Sequence, residues 1–313
     1  MMRDKILDWQ SNLFDEYLAY RKRSASCAPS TQRTIQAAVF GFFIYMNENG
    51  IANLSDITAQ QLYDWHIASK HDSVRGGNLY TSQLRLFFEY LEERKMVPPT
   101  LVYALTHQNA PVNTNVKVLS KEQLEVIERY REQASTPMQL RDAAMIMLGL
   151  RMGMRGCDIR KLRISDISWK EQTISFTQQK TGVFVTLPMP TEVGNSLFRY
   201  LSQGRPKRKQ PCEQVFLSHM PPYDGLRGTC AVRRSIDHAF RDSGVENPGE
   251  FHITRRSFAS SLLRTGSSVS LIASTLGHTT VHTAGAYLST DTETLRRCAI
   301  GCAYIPYEGS YGL

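Results

Sequence analysis

The sequence predicts a mainly α-helical protein of two domains, with a small β-hairpin in the second (an α+β domain). Three observations predict it. Apolar residues through the first hundred positions recur at three- and four-residue spacing. Residues 172–189, "QTISFTQQKTGVFVTLPM", form two β-rich runs around "QKTG", as a hairpin would. Residues 106–118, "THQNAPVNTNVKV", lack periodicity and are rich in Asn, Thr and Pro, as a linker would be. At 313 residues the chain exceeds one ordinary core and suits two. The expected organisation is a helical domain over 1–107, a linker over 108–117 and a second domain over 118–313.

The elements follow in order. "DKILDWQSNLFDEYLAYRKR" sets Ile6, Trp9, Leu13, Tyr17 and Leu18 on one helical face. "SASCAPS" breaks that pattern, and "TQRTIQAAVFGFFIYMNENG" resumes it until Gly50, placed for a left-handed cap. "SDITAQQLYDWHIAS" offers Ser55 or Asp56 as N-cap of a third helix. "LYTSQLRLFFEYLEERK" makes a fourth, stopped by Pro98 and Pro99. Past the linker, "LSKEQLEVIERYREQ" opens with a capping-box pattern at Ser120 and Gln123. "PMQLRDAAMIMLGLRMG" reads as a buried helix. After the hairpin come helices near 191–203, 229–243, 251–265, 268–276 and 281–289.

Composition narrows the partners. No run reaches the roughly 18 apolar residues of a membrane span, and the N-terminus carries acidic residues where an export signal would be apolar. The six cysteines are scattered, and Cys298 and Cys302 have no second pair or His nearby, so neither a zinc site nor a disulfide framework is expected. Reduced thiols suit a cytoplasmic protein. The net charge of +8 favours a polyanionic partner. Residues 1–117 carry 12 Lys+Arg against 11 Asp+Glu, and residues 118–313 carry 25 against 18, so the second domain holds nearly all the excess. The basic run "RPKRK" at 205–209 makes Lys207 and Arg208 candidate phosphate contacts, although such runs are commonly solvated loops.

Several polar residues of that domain sit oddly in their local pattern. Arg155 follows an apolar helix between two glycines. Lys180 lies at the tip or flank of the hairpin. His252 and Arg255, three apart, share a helix's first turn. His278 follows Gly277 in a turn, and Tyr287 stands on the next helix in the plain stretch "ASTLGHTTVHTAGAYLS". Each has an ordinary reading: a surface arginine, a hairpin charge, a capping histidine, a core-edge tyrosine. Together they are the parts that break a phosphodiester. Guanidiniums clamp non-bridging oxygens and stabilise a five-coordinate phosphorus. A phenol attacks if an imidazole takes its proton, and an ammonium protonates the leaving oxygen.

The motifs "His252-x-x-Arg255", "Leu276-Gly277-His278" and Tyr287, at intervals of 23 positions from Arg255 to His278 and 9 from His278 to Tyr287, are similar to the C-terminal signature of tyrosine recombinases, the phage integrase family. "GMRGCDIRKLRISDI" resembles the family's first-arginine segment, and "ISFTQQKTGVFVTLPM" its lysine hairpin. The N-terminal helices look like its core-site-binding (SAM-like) domain. The resemblance implies that Tyr287 is the nucleophile, forming a 3′-phosphotyrosine and a free 5′-hydroxyl. It implies that Arg155, Arg255 and His278 hold the phosphate, that Lys180 is the general acid, and that His252 assists proton transfer. Asp158 would support the site without taking part in the chemistry, and Arg256 would add a DNA contact. No metal or other cofactor is implied.

The expected partners are double-stranded DNA with specific core sites and three further copies of the chain, a homo-tetramer passing through a Holliday junction. An accessory DNA-bending or directionality protein fits beside them, and no membrane does. The expected place is the cytoplasm, with the nucleoid. The tail over about 291–313, with Leu295, Ile300, Tyr304, Ile305 and Tyr307, is expected to dock on a neighbouring subunit. An additional arm-binding domain is not expected. Thr254 and Arg256 depart from the Leu and His that family members often carry around the second arginine. The rival readings are type IB topoisomerase-like DNA relaxation and a non-catalytic DNA-binding regulator.

Overall fold

Local start signals place several of the helices. In a computed structural model of the chain, which describes residues 2–24, 27–69, 74–109 and 116–277, three helices begin with reciprocal capping boxes. These are Thr58 with Gln61, Ser120 with Gln123, and Thr136 with Gln139. Two compact units result, residues 1–112 and 113–313.

The first unit holds α1 (Asp8–Ser24), α2 (Pro29–Glu48), α3 (Ala59–Ala68) and α4 (Val74–Glu93). Gly50 is left-handed, at φ +67°, just past the end of α2. The N-cap of α3 is Thr58, not Ser55 or Asp56. Those two lie in a short 3-10 turn, Leu54–Asp56, where the Asp56 carboxylate accepts from the Asn53 side chain at 3.0 Å. The core is aromatic: Phe14 meets Phe40 edge-on at 4.8 Å, and Tyr17 meets both Phe87 and Tyr90 at 5.0 Å. Each such pair adds about 0.5–1.5 kcal/mol to the burial of its rings. Residues 105–108 are strapped to this unit. Asn78 and the Gln108 backbone exchange hydrogen bonds of 2.8 and 2.9 Å, Arg85 donates to the Leu105 carbonyl at 2.8 Å, and His66 Nε2 lies 2.9 Å from the Thr106 carbonyl.

The second unit is built around α6. Its helices are α5 (Lys121–Gln133), α6 (Pro137–Met152), α7 (Gly156–Lys161), α8 (Thr191–Arg199), α9 (Cys230–Phe240), α10 (His252–Arg264) and α11 (Val269–Leu276). Residues 140–150 of α6 are buried without interruption, because α8, α9 and α10 all pack on it. Two charges, Arg141 and Asp142, are sequestered with them. The fully buried Asp142 accepts from Arg141 Nε and Nη2 at 3.1 and 3.0 Å and from His238 Nδ1 of α9 at 2.6 Å.

The expected hairpin is β2 (Thr173–Thr177) paired antiparallel with β3 (Phe184–Pro188), and a two-residue strand, β1 (Ile167–Ser168), extends it to a three-stranded sheet. Alternation sorts its faces. Ile174, Phe176, Val185 and Leu187 point into the core, while the Ser175 and Thr186 hydroxyls meet at 2.9 Å on the other face.

Gly149 lets α10 approach α6. A Cβ there would lie 2.4 Å from Thr254 Oγ1 and 2.8 Å from the Phe251 ring. This accounts for Thr254, which is fully buried and bonds back to the Phe251 carbonyl at 2.8 Å. Gly149→Ala would gain about 1 kcal/mol of helix propensity but overpack the contact by about 1–3 kcal/mol. The expected result is a lower denaturant midpoint with an unchanged slope.

Candidate active site

Four segments converge on the end of α6. The helix stops at Gly153, which is left-handed at φ +63°, and a Cβ there would lie 2.5 Å from the Phe258 ring. Two residues on, Arg155 is the N-cap of α7, its carbonyl accepting from the Asp158 and Ile159 amides. Its half-buried guanidinium donates to Gln178 Oε1 at 2.5 Å. Arg255, 3% exposed, donates to the Gly153 carbonyl at 2.6 Å and to the Leu276 carbonyl at 2.7 Å. Gln178 Nε2 donates to that same Leu276 carbonyl at 2.9 Å. The two arginines are therefore joined through one amide and one carbonyl.

Asp158 is buried, and its Oδ1 accepts the Gln179 backbone N–H at 2.8 Å. It thereby fastens the β2–β3 turn to α7. Lys180 stands exposed in that turn, which is closed by Gly182 donating to the Gln178 carbonyl at 2.9 Å with Gly182 at φ +70°.

His252 is the first residue of α10, and Phe251 occupies the N-cap. His252 and Arg255 share the first turn but not an environment: Arg255 turns into the protein, while His252 keeps an exposed edge. The protein packed against the other side of the His252 ring desolvates it, and Arg255, Arg256 and Arg155 add positive charge nearby. Both effects hold its pKa below the ordinary 6.5, so the ring is neutral at pH 7 and able to accept a proton. If it serves as a base, cleavage should stay level near neutrality and fall only on acidification below about 6.5, when the ring takes up its proton. The rate against pH, with His252→Gln as control, checks this. A fall that begins at higher pH contradicts the role.

The other basic candidates are partly engaged. Arg256 pairs with Glu250 and reaches the Lys117 carbonyl at 3.5 Å. Arg208 pairs with Asp224 at 3.0 Å, and Lys207 is exposed. Arg205, first in the basic run, spends its donors on the Val215, Cys212 and Gln214 carbonyls. His278, His282, Tyr287, Cys298, Cys302, the helix near 281–289 and the tail lie outside the described residues.

Sequence reasoning missed Gln178. Its signal was present: Ile174, Phe176 and Gln178 continue one inward alternation, so a polar side chain occupies an apolar register. Among the described residues no group of three or more His, Cys, Asp or Glu could hold a metal ion, and no helix is long and apolar enough to cross a membrane.

Comparison with known proteins decides the family. The model of the phage integrase family matches residues 117–294. The chain belongs to the phage integrase family of tyrosine recombinases. Among curated relatives, an integrase/recombinase of Sinorhizobium fredii is 33% identical over 186 residues, 58% of this chain and 94% of the relative. The tyrosine recombinase XerD of Listeria innocua is 26% identical over 284 residues, 88% of this chain and 93% of that one.

Among solved structures, XerH recombinase bound to a palindromic difH substrate is similar with a TM-score of 0.70 at 18% identity, covering 85% of this chain and 78% of that one. A lambda integrase fragment bound as a dimer to a core site is similar with a TM-score of 0.68 at 18% identity, covering 90% and 94%. These likenesses support the fold of the integrase, mainly helical with a small sheet.

Proposed function

We propose that this integrase recombines DNA at specific sites by the route its candidate active site can support. Tyr287 Oη attacks the scissile phosphorus while His252 takes the phenolic proton. The bond to the 5′-oxygen breaks as Lys180 protonates that oxygen, leaving a 3′-phosphotyrosine and a 5′-hydroxyl. Arg155, Arg255 and His278 stabilise the charge that gathers on the non-bridging oxygens. The phosphotyrosine keeps the energy of the phosphodiester, so rejoining needs no ATP, and the guanidiniums supply the electrostatic stabilisation a metal ion would otherwise give.

The observation that carries this reading is the joining of Arg155 and Arg255 through Gln178 and the Leu276 carbonyl, at the turn that leads into His278. On the same reading the first unit grips the core site, with Lys207, Arg208 and Arg256 as candidate DNA contacts. Four copies act on two sites through a Holliday junction, with the tail docking between subunits and room for an accessory DNA-bending or directionality protein. This work would be done on the nucleoid.

The test uses two fragments of the DNA flanking the native gene, with distinguishable ends, incubated with the protein in EDTA. Exchange of ends at one position supports the proposal. Relaxation of any supercoiled DNA without exchange would favour a topoisomerase instead. The acid role of Lys180 has its own expected result. Lys180→Ala should cleave ordinary DNA about 10²–10⁴-fold more slowly and recover when the leaving 5′-oxygen is replaced by sulfur, since a thiolate departs without a proton. Arg155→Ala should not recover, which single-turnover rates on both substrates would show.

A further inference from the structure

We propose that Gln178 is a positioning residue, whose side-chain amide sets Arg155 and the Leu276–Gly277 turn in fixed relation so that the phosphate clamp forms as one unit. The inference rests on the proposed chemistry and deepens it.

Gln178 is 2% exposed, one residue past β2 and continuing its inward register, where an apolar side chain is expected. Its two amide ends do different work. Oε1 accepts from Arg155 Nη1 at 2.5 Å and from the Thr181 hydroxyl at 2.9 Å. Nε2 donates to the Leu276 carbonyl at 2.9 Å, which also accepts from Arg255. Arg255 returns to the Gly153 carbonyl, two residues before Arg155, so the circuit closes on itself.

Gly277 is shaped around this amide. Its φ is +61°, and a Cβ there would lie 2.3 Å from Gln178 Nε2 and 2.4 Å from Oε1. The glycine before His278 thus has a partner-specific reason as well as a conformational one.

Only a neutral amide suits the place. It accepts from a guanidinium and donates to a carbonyl at once, and it leaves the charge of Arg155 for the phosphate. A glutamate of the same shape would oppose its oxygen to the Leu276 carbonyl and neutralise Arg155. An alanine would leave a buried carbonyl short of a donor and Arg155 without its stop.

The experiment compares wild type, Gln178→Ala and Gln178→Glu in single-turnover cleavage of a duplex oligonucleotide that spans the site cut by the wild type. A second duplex carries a methylphosphonate at the scissile position, which removes one charged oxygen and with it part of the need for the clamp. Both variants should bind the duplexes as the wild type does. Both should cleave the phosphodiester about 10²-fold more slowly, with a much smaller deficit on the methylphosphonate. Equal losses on the two substrates, or wild-type rates on both, would overturn the inference. If Gln178→Ala does not fold, the isosteric Gln178→Glu carries the comparison. A wild-type adduct at Tyr287 with unaffected Gln178 variants removes this inference alone, whereas no such adduct removes the underlying reading and this inference with it.

Discussion

Tyr287→Phe should bind the recombination site as the wild type does and leave every strand intact. The substitution removes one oxygen, the atom that would attack phosphorus, and replaces it with nothing that can form a covalent bond. Water is no substitute, because the proposed site positions a phenol and not a solvent molecule. The expected reading is complete loss of protein-linked DNA after denaturation in detergent, with gel-shift affinity retained. A variant that still formed the adduct would move the nucleophile elsewhere in the chain.

Arg255→Ala should cost both activity and stability, and the two costs have separate origins. The guanidinium is buried and holds the Gly153 and Leu276 carbonyls together. Its removal takes the donor from the Gly153 carbonyl and leaves the Leu276 carbonyl with Gln178 Nε2 alone, at about 1–3 kcal/mol of stability. On the proposed chemistry it also removes charge-assisted donors from the transition state, for an expected loss of about 10²–10³-fold in cleavage rate. Arg255→Lys separates the two. A lysine keeps the charge but is a point donor, not a planar fork, so it cannot reproduce both carbonyl contacts and a phosphate contact. Stability should fall less than in the alanine variant while the rate remains low. Denaturant midpoints beside single-turnover rates read the two quantities independently.

Much of this architecture was legible because it is encoded locally. The capping boxes of Ser120 with Gln123 and of Thr136 with Gln139 need only neighbouring residues to act, and α5 and α6 begin where those signals stand. The start of α3 slipped from Ser55 or Asp56 to Thr58 because two capping patterns compete in seven residues. The Thr58–Gln61 box satisfies backbone donors reciprocally, while Asp56 is taken by Asn53. The strand β1 could not be read, since two residues carry no periodicity.

The candidate site divides in the same way. Arg155, Lys180, His252 and Arg255 stand out by residue type and spacing, and the fold brings Arg155 and Arg255 together. What the spacing could not show is how they are held. Gly153 and Leu276 contribute only carbonyls, which any residue possesses, and their importance arises from the approach of α10 to the end of α6. That approach in turn needs a missing side chain at Gly149, and Thr254 in place of a larger residue follows from it.

The central claim is that this chain breaks DNA covalently through Tyr287, joined to the 3′-phosphate at the break. Duplexes carrying the native site, labelled at the 5′ end or the 3′ end of the cut strand, incubated in EDTA and denatured in detergent, test it most directly. The account predicts that the 5′-labelled piece migrates with the protein, while the 3′-labelled piece is released with a 5′-hydroxyl that accepts phosphate from a kinase. Attachment to the 3′-labelled piece, or cleavage that appears only with added metal and leaves no protein on either end, would contradict it.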